Sequence, residues 1–167
     1  MREEELRRHR CCFTGHRPEK LNISERKAKA LLKSAIEQAI EEGYTTFITG
    51  MARGIDLWAA EIVLKKRRRN AKLHLICASP FEGFENRWNA ADRENYRDII
   101  DESDLTEYIC THYSPACFQI RNTWMVDRSG RVIAAYNGVS GGTRNTLAYA
   151  ERKNIAVVNI LKEGASC

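Results

Sequence analysis

No apolar stretch in this 167-residue sequence is long enough to cross a bilayer as a helix, and its first ten residues, MREEELRRHR, are charged where a secretory leader would be apolar. A membrane-spanning or exported protein is therefore not expected, and a cytoplasmic one with reduced thiols is. None of the six cysteines belongs to a C-x-x-C pair. Cys11 and Cys12 are adjacent in a strand-like run, Cys77 lies in another, and Cys167 is terminal. Cys110, His112 and Cys117 form the only tight Cys/His group, and a closed zinc site would still need a fourth ligand, so no metal is expected. The chain has no internal repeat, no low-complexity tract and no Pro/Gly/Ser-rich linker, which leaves a single domain over residues 1–167 as the simplest organisation. The G-x-G-x-x-G dinucleotide fingerprint is also missing, which argues against a standard nicotinamide dehydrogenase.

Charge is present without strong bias. The 27 Lys and Arg exceed the 22 Asp and Glu by enough for a formal charge of +5, a balance that suits an anionic ligand without establishing one. The densest basic run, KKRRR at Lys65–Arg69, falls where the second expected helix ends, so its cations oppose the negative end of that helix dipole. No aromatic residues interleave with it, and it reads as a solvated helix end before it reads as a nucleic-acid patch.

Hydrophobic residues make up 43% of the chain, enough for a real core, and they fall into alternating short and long patterns. Strands are expected at Arg10–Thr14, Thr45–Thr49, Lys72–Ala78, Leu105–Thr111, Val132–Tyr136 and Ala156–Ile160. Helices are expected between them. The first, Ser24–Glu42, has Ala28, Leu31, Leu32, Ala35, Ile36 and Ala39 at helical spacing, a cap at Ser24 and a stop at Gly43. The second starts after Gly54, the third spans Gly83–Ser103, the fourth Ala116–Arg128 and the fifth Gly142–Lys153. Such alternation predicts an α/β fold with a mostly parallel sheet of about six strands between two helical layers. The third helix, with Trp88, Asn89, Asp92, Arg93, Asn95 and Arg97, either faces water or overhangs the site as a lid.

Three glycine-bearing turns sit where strands give way to helices, and right-handed crossovers put all three at the carboxyl edge of the sheet. In the first, TGHRP, Gly15 lets a ligand approach the backbone and Arg17 can bind a phosphate bidentately. His16 either donates to that ligand, or shuttles a proton, or serves as a structural hydrogen-bonding group. In the second, TGMARGIDLWAAE, Gly50 permits the tight turn and Gly54 the close approach. Asp56 either caps free helix amides or accepts from a ribose or base. The third, SGGTRNT, places Gly141, Gly142 and Thr143 at a helix amino end, the best phosphate site on the chain, although Thr143 as a plain N-cap is the alternative. Arg121 and Asn122, early in the fourth helix, are candidates for a second anionic or ribose group. Glu61 and Asp127 are the carboxylates available for catalysis, while Trp124 and Met125 belong to the core.

With these segments in order, GHRP, ITGMARGIDLWAAE, SPFEGFENRW, RNTWMVDRS and SGGT, the chain resembles the YpsA-like branch of the SLOG superfamily. Relatives there include the DNA-processing protein DprA and the LOG-type phosphoribohydrolases. The resemblance implies a Rossmann-like three-layer αβα sandwich whose strand-end pocket binds a nucleotide or nucleotide-derived ligand. It places Gly15, Arg17, Gly50, Gly54, Asp56, Arg121, Gly141, Gly142 and Thr143 around that pocket. The LOG-type PGGxGTxxE pattern is not matched, since SGGTRNTLAYA lacks the proline and has Ala148 and Tyr149 where the glutamate is needed.

Three readings follow. The leading one is a sensor or regulatory protein binding a nucleotide-derived small molecule such as ADP-ribose or a nucleoside phosphate, with no other cofactor required. The second is hydrolysis of a nucleotide N-glycosidic bond through Glu61 or Asp127. The third is DprA-like binding of single-stranded DNA, ranked last because no aromatic stacking platform stands out. A homodimer through a helical face is compatible with the fold, but no stripe identifies it.

Overall fold

A computed structural model describes residues 2–161 and turns the six apolar runs into one six-stranded sheet. The strands are β1 (Arg10–Gly15), β2 (Thr46–Thr49), β3 (His74–Ser79), β4 (Leu105–Tyr108), β5 (Arg131–Ala135) and β6 (Ala156–Asn159). All pairings are parallel, in the order β4-β3-β2-β1-β5-β6. The helices are α1 (Glu3–Arg7), α2 (Glu25–Glu41), α3 (Ile55–Arg67), α4 (Ala90–Glu102), α5 (Cys117–Asp127) and α6 (Gly142–Arg152). This is a Rossmann-like α/β fold.

The two-residue period of the strands divides the core between the faces. Cys11, Phe13, Phe47, Leu75, Cys77 and Ile133 point to one side, where α2, α3 and α4 cover them. Cys12, Ile48, Ala78, Val132 and Ala134 point to the other, beneath α5 and α6. The central strands are therefore apolar on both faces, as a covered parallel sheet requires. Phe13 and Phe47 stack at 6.0 Å between ring centres across β1 and β2. The outer strands are less covered, with Leu105 and Tyr108 on β4 and Val157 and Val158 on β6 all exposed.

Chain direction decides where a site can form. From β1 the chain steps outward through β2 and β3 to β4, then returns through α5 to lay β5 on the opposite side of β1. The loops leaving β1 and β5 thus diverge and open a crevice above paired residues Gly15 and Ala135.

Several expected boundaries shift. The third helix is shorter than Gly83–Ser103, because Gly83 takes a φ of +86° and Asn89, in extended backbone, accepts from the Asp92 amide at 2.9 Å to cap a new start at Ala90. The expected third strand begins two residues later, at His74, and the fourth ends at Tyr108. A first short helix, α1, is not expected from the pattern, and a 3-10 turn forms at Pro18–Lys20, where the proline fits a helix entry or a fixed turn. The KKRRR run closes α3 at the amino edge and is held by carboxylates. Lys66 meets Glu37 at 3.2 Å, Arg67 meets Asp104 at 2.7 Å and Arg68 meets Glu102 at 3.5 Å. These cations tie α3 to neighbouring elements at the end of the sheet away from the crevice. Cys167 lies outside the described residues.

The Ser24 hydroxyl accepts from the Lys27 amide at 3.1 Å, satisfying an amide that the first turn of α2 leaves free. Ser24→Ala is expected to lower stability by about 1 kcal/mol in urea unfolding.

Candidate functional site: the carboxyl-edge crevice

The second glycine turn is a buried polar knot. Arg121 rises from α5 on one face and donates through Nη1 to the Gly50 carbonyl, while its Nε donates to Asn122 Oδ1 at 2.7 Å. From the other face, Asp56 on α3 accepts the Ala52 amide at 3.2 Å, and its own carbonyl accepts from the Thr49 hydroxyl at 2.8 Å. Gly50 lies between the two charges. A Cβ there would stand 2.7 Å from Arg121 Nη1 and 2.8 Å from Asp56 Oδ2. Asp56 and Arg121 are only 6% and 5% exposed. Burial raises the Asp56 carboxyl to about 6 against the opposing pull of Arg121 and the Ala52 amide, and burial lowers Arg121 against the pull of Asp56.

Two of the expected ligand-facing glycines instead make room for the protein itself. A Cβ on Gly15 would come within 2.5 Å of Ile55, and one on Gly54, whose φ is +90°, within 2.8 Å of Pro18. The first and second turns are thereby packed together, and Arg53 reinforces the join by meeting Glu19 at 3.3 Å. Arg17 is exposed and makes no ion pair among the described residues. His16 is buried, its amide donating to Ala135 at 3.3 Å and its ring resting 5.5 Å from that of Tyr136. Burial and the Lys20 charge lower its pKa, against the opposing pull of Asn137, which keeps the ring neutral near pH 7. Its Nε2 is shielded and has no hydrogen-bond partner.

The third turn differs in being open. Asn137 donates to the Lys20 carbonyl at 2.7 Å and so fastens this turn to the first. Asn159 fixes its base by bonding both the amide and the carbonyl of Tyr136, at 3.0 and 2.9 Å. Beyond this point Gly138, Gly141 and Gly142 are exposed, and nothing lies within 4 Å of a Cβ placed on any of them. Helix α6 begins there with Gly141 as its N-cap, no side-chain cap bond and no acidic residue in its first turn. Thr143 is therefore not the cap. It stands inside the first turn, buried beneath the rim. The amino end of α6 is left with free amides, an uncompensated positive dipole end and open space in front of it.

The remaining candidates lie apart from the crevice floor. Glu61 is six residues into α3, about 9 Å along the helix from Ile55. Asp127 ends α5 and accepts from the Tyr149 hydroxyl at 2.6 Å.

An aromatic cluster was not recognisable beforehand. Phe81, Phe84 and Trp88, in the turns after β3, meet Tyr113 in the loop before α5, Phe118 at the start of α5 and Tyr96 on α4. Trp88 and Tyr96 are thus packing residues, whereas Tyr113 is 59% exposed at the rim. The run of aromatics in SPFEGFENRW was visible in the sequence, but two of its partners, Tyr113 and Phe118, come from more than 20 residues further on.

Comparison with known proteins accords with this architecture. The profile of the YspA SLOG family matches residues 11–160, and the chain belongs to that family. It is 30% identical over 133 residues to a UPF0398 protein of Halalkalibacterium halodurans, covering 75% of this chain and 70% of that one. It is 33% identical over 139 residues to the SPbeta prophage-derived protein YoqJ of Bacillus subtilis, covering 75% and 81%. Among solved structures it is similar in fold to DNA processing protein A of Streptococcus pneumoniae, with a TM-score of 0.66 at 20% identity. That match covers 96% of this chain and 56% of the pneumococcal one. DNA processing protein A of Helicobacter pylori, described for its single-stranded DNA binding mode, matches with a TM-score of 0.64 at 15% identity over 93% of this chain and 66% of that one.

The raised Asp56 pKa carries a stability consequence. The folded protein holds this proton up to about pH 6, whereas the unfolded chain releases it near 3.8, so ionisation costs stability as pH rises from about 4 to 6. The stability of the native protein minus that of Asp56→Asn, measured by urea unfolding, is expected to fall by about 3 kcal/mol across that window and to level off above it.

Proposed function

We propose that this protein binds a nucleotide-derived phosphate compound, of the ADP-ribose or nucleoside phosphate kind, in the crevice between the first and third turns, and acts as a sensor or regulatory protein of the cytoplasm. The observation that carries this reading is the amino end of α6, open, without a side-chain cap and without an acidic residue, held by Asn137 beside a turn that offers the exposed Arg17. A phosphate there meets the amides at Gly142 and Thr143, the positive end of the helix dipole and a mobile guanidinium. The second turn is largely buried, with Ala52 and Arg53 its partly exposed residues.

The hydrolase alternative draws little from the site. Glu61 is about two turns from the start of α3, Asp127 is engaged by Tyr149, and the α6 sequence has Ala148 and Tyr149 where the LOG-type pattern has its acid. Single-stranded nucleic acid is a second reading with one observation in its favour. Exposed Tyr113, backed by Phe81 and Phe118, gives the carboxyl edge a ring on which a base can stack.

Thermal unfolding in the presence of ADP-ribose and nucleoside mono-, di- and triphosphates tests the first reading, since a ligand of the native state raises the midpoint. Gly142→Ala is the informative variant, because its methyl meets no protein atom but occupies the space before the α6 amides. It is expected to fold normally and abolish the shift, while Arg17→Ala weakens binding roughly 10- to 100-fold. If no phosphate compound shifts the midpoint, the reading fails. Oligonucleotide retention that falls steeply with salt and is lost in Tyr113→Ala would then favour the second.

A further inference from the structure

Beside Arg17 the first turn carries a second cation, Lys20. Residues Pro18–Lys20 form the 3-10 turn that follows β1, and the Lys20 amide donates to the Arg17 carbonyl at 2.9 Å. A bond of this kind brings the two Cα atoms to within about 7 Å of each other. Glu19, the one acid between them, is drawn to the second turn, where it meets Arg53 at 3.3 Å. Arg17 and Lys20 are both exposed, and neither makes an ion pair among the described residues.

Lys20 is held next to the third turn by its own backbone. Asn137 donates to the Lys20 carbonyl at 2.7 Å, and its side-chain oxygen accepts from the Val139 amide at 3.1 Å, so one side chain ties Lys20 to the turn that leads into α6. The His16 pKa is lowered first by burial and then by the Lys20 charge, which sets that cation near the floor of the crevice, where the His16 amide meets Ala135. Arg144, the third residue of α6, is exposed and also makes no ion pair among the described residues. A cation in the first turn of a helix stands against the positive end of its dipole. No acid between residues 137 and 147 relieves it. The two turns that border the opening thus carry three cations without acidic partners.

A single phosphate seated on the α6 amides has its oxygens taken up by those amides and by a bidentate Arg17, and leaves Lys20 without a partner. A second phosphate joined to the first supplies one. On the phosphate reading of the crevice given above, we propose that Lys20 is a specificity-determining residue, which with Arg17 forms a second phosphate position beside the α6 amides and makes the crevice select compounds with two linked phosphates over monophosphates. Arg144 contributes to the field at the opening and needs no direct contact with the ligand. Lys20→Ala is expected to fold as the native protein does, because the bond to Asn137 runs through the backbone carbonyl and not through the side chain.

The test measures the affinities of AMP, ADP and ADP-ribose for the full-length protein by titration calorimetry, with each variant checked for an unchanged unfolding midpoint. AMP and ADP-ribose each carry about two negative charges near neutral pH, so a preference between them does not report total charge. The native protein is expected to bind ADP and ADP-ribose about ten times more tightly than AMP. Lys20→Ala is expected to lower both ratios about tenfold, the weight of a hydrogen bond to a charged group, and Lys20→Arg to keep them. Lys72→Ala removes the same charge from the amino edge of the sheet, just before β3, and should leave both ratios within about twofold. If AMP binds as tightly as the diphosphates, or Lys20→Ala leaves the ratios unchanged, or Lys72→Ala lowers them as much, selection by Lys20 is overturned while phosphate binding in the crevice stands. If none of the three compounds binds, the phosphate reading itself fails and the role of Lys20 with it.

Discussion

The crevice depends on the grip of Arg121 on the Gly50 carbonyl. Arg121 comes from the helical layer on one face of the sheet and Asp56 from the layer on the other, and they meet over the end of β2 with Gly50 between them. Each charge is costly to bury alone, and each is made tolerable by the other and by backbone partners. The arrangement fixes how far α5 can move from α3. It also gives glycine a role at position 50, where a Cβ would press on both charged groups.

The three glycine turns, alike on paper, do different work. The first two are packed against each other through Gly15, Gly54, Ile55 and Pro18, and form a rigid wall. The third is fastened at its base by Asn137 and Asn159 and then left bare. A rigid wall facing an open helix end is an economical way to hold an anion, because the donors are in place before the ligand arrives. Membership of the YspA SLOG family and the fold shared with two DNA processing proteins fit the same architecture.

Much of the fold was legible in the sequence because the signals were local. Ser24 and Gly43 bound the first long helix where the capping pattern placed them, and the double-sided apolar runs at Cys11–Phe13 and Val132–Ala135 gave the central strands. The start of α4 was misjudged because a polar, weakly periodic stretch conceals the Asn89 cap, and the turns before it are set by aromatic packing with Phe118 and Tyr113. In the site, the grouping of the three turns followed from topology, but the use of each glycine did not. Whether missing side-chain volume is filled by a ligand or by Ile55 depends on contacts between segments some 40 residues apart, and no local pattern records them. Thr143 was read as a possible cap for a related reason. An N-cap is defined by backbone dihedrals, and Gly141 with a φ of +147° takes that place.

The return of the chain through α5 sets the order in which the molecule can be built. β1 is central, yet its partner β5 pairs Arg131 with Cys11, so one side of the first strand stays unpaired until the chain has been made as far as β5. The four strands from β1 to β4 and the helices α2 to α4 can assemble meanwhile as a half-sheet, with the apolar residues of its second face still facing water. The crevice, which needs both β1 and β5, is then among the last features to exist. A nascent chain with this topology must spend that interval with an open, sticky strand edge, which makes the stretch between the synthesis of β1 and that of β5 the period of greatest exposure to misassembly.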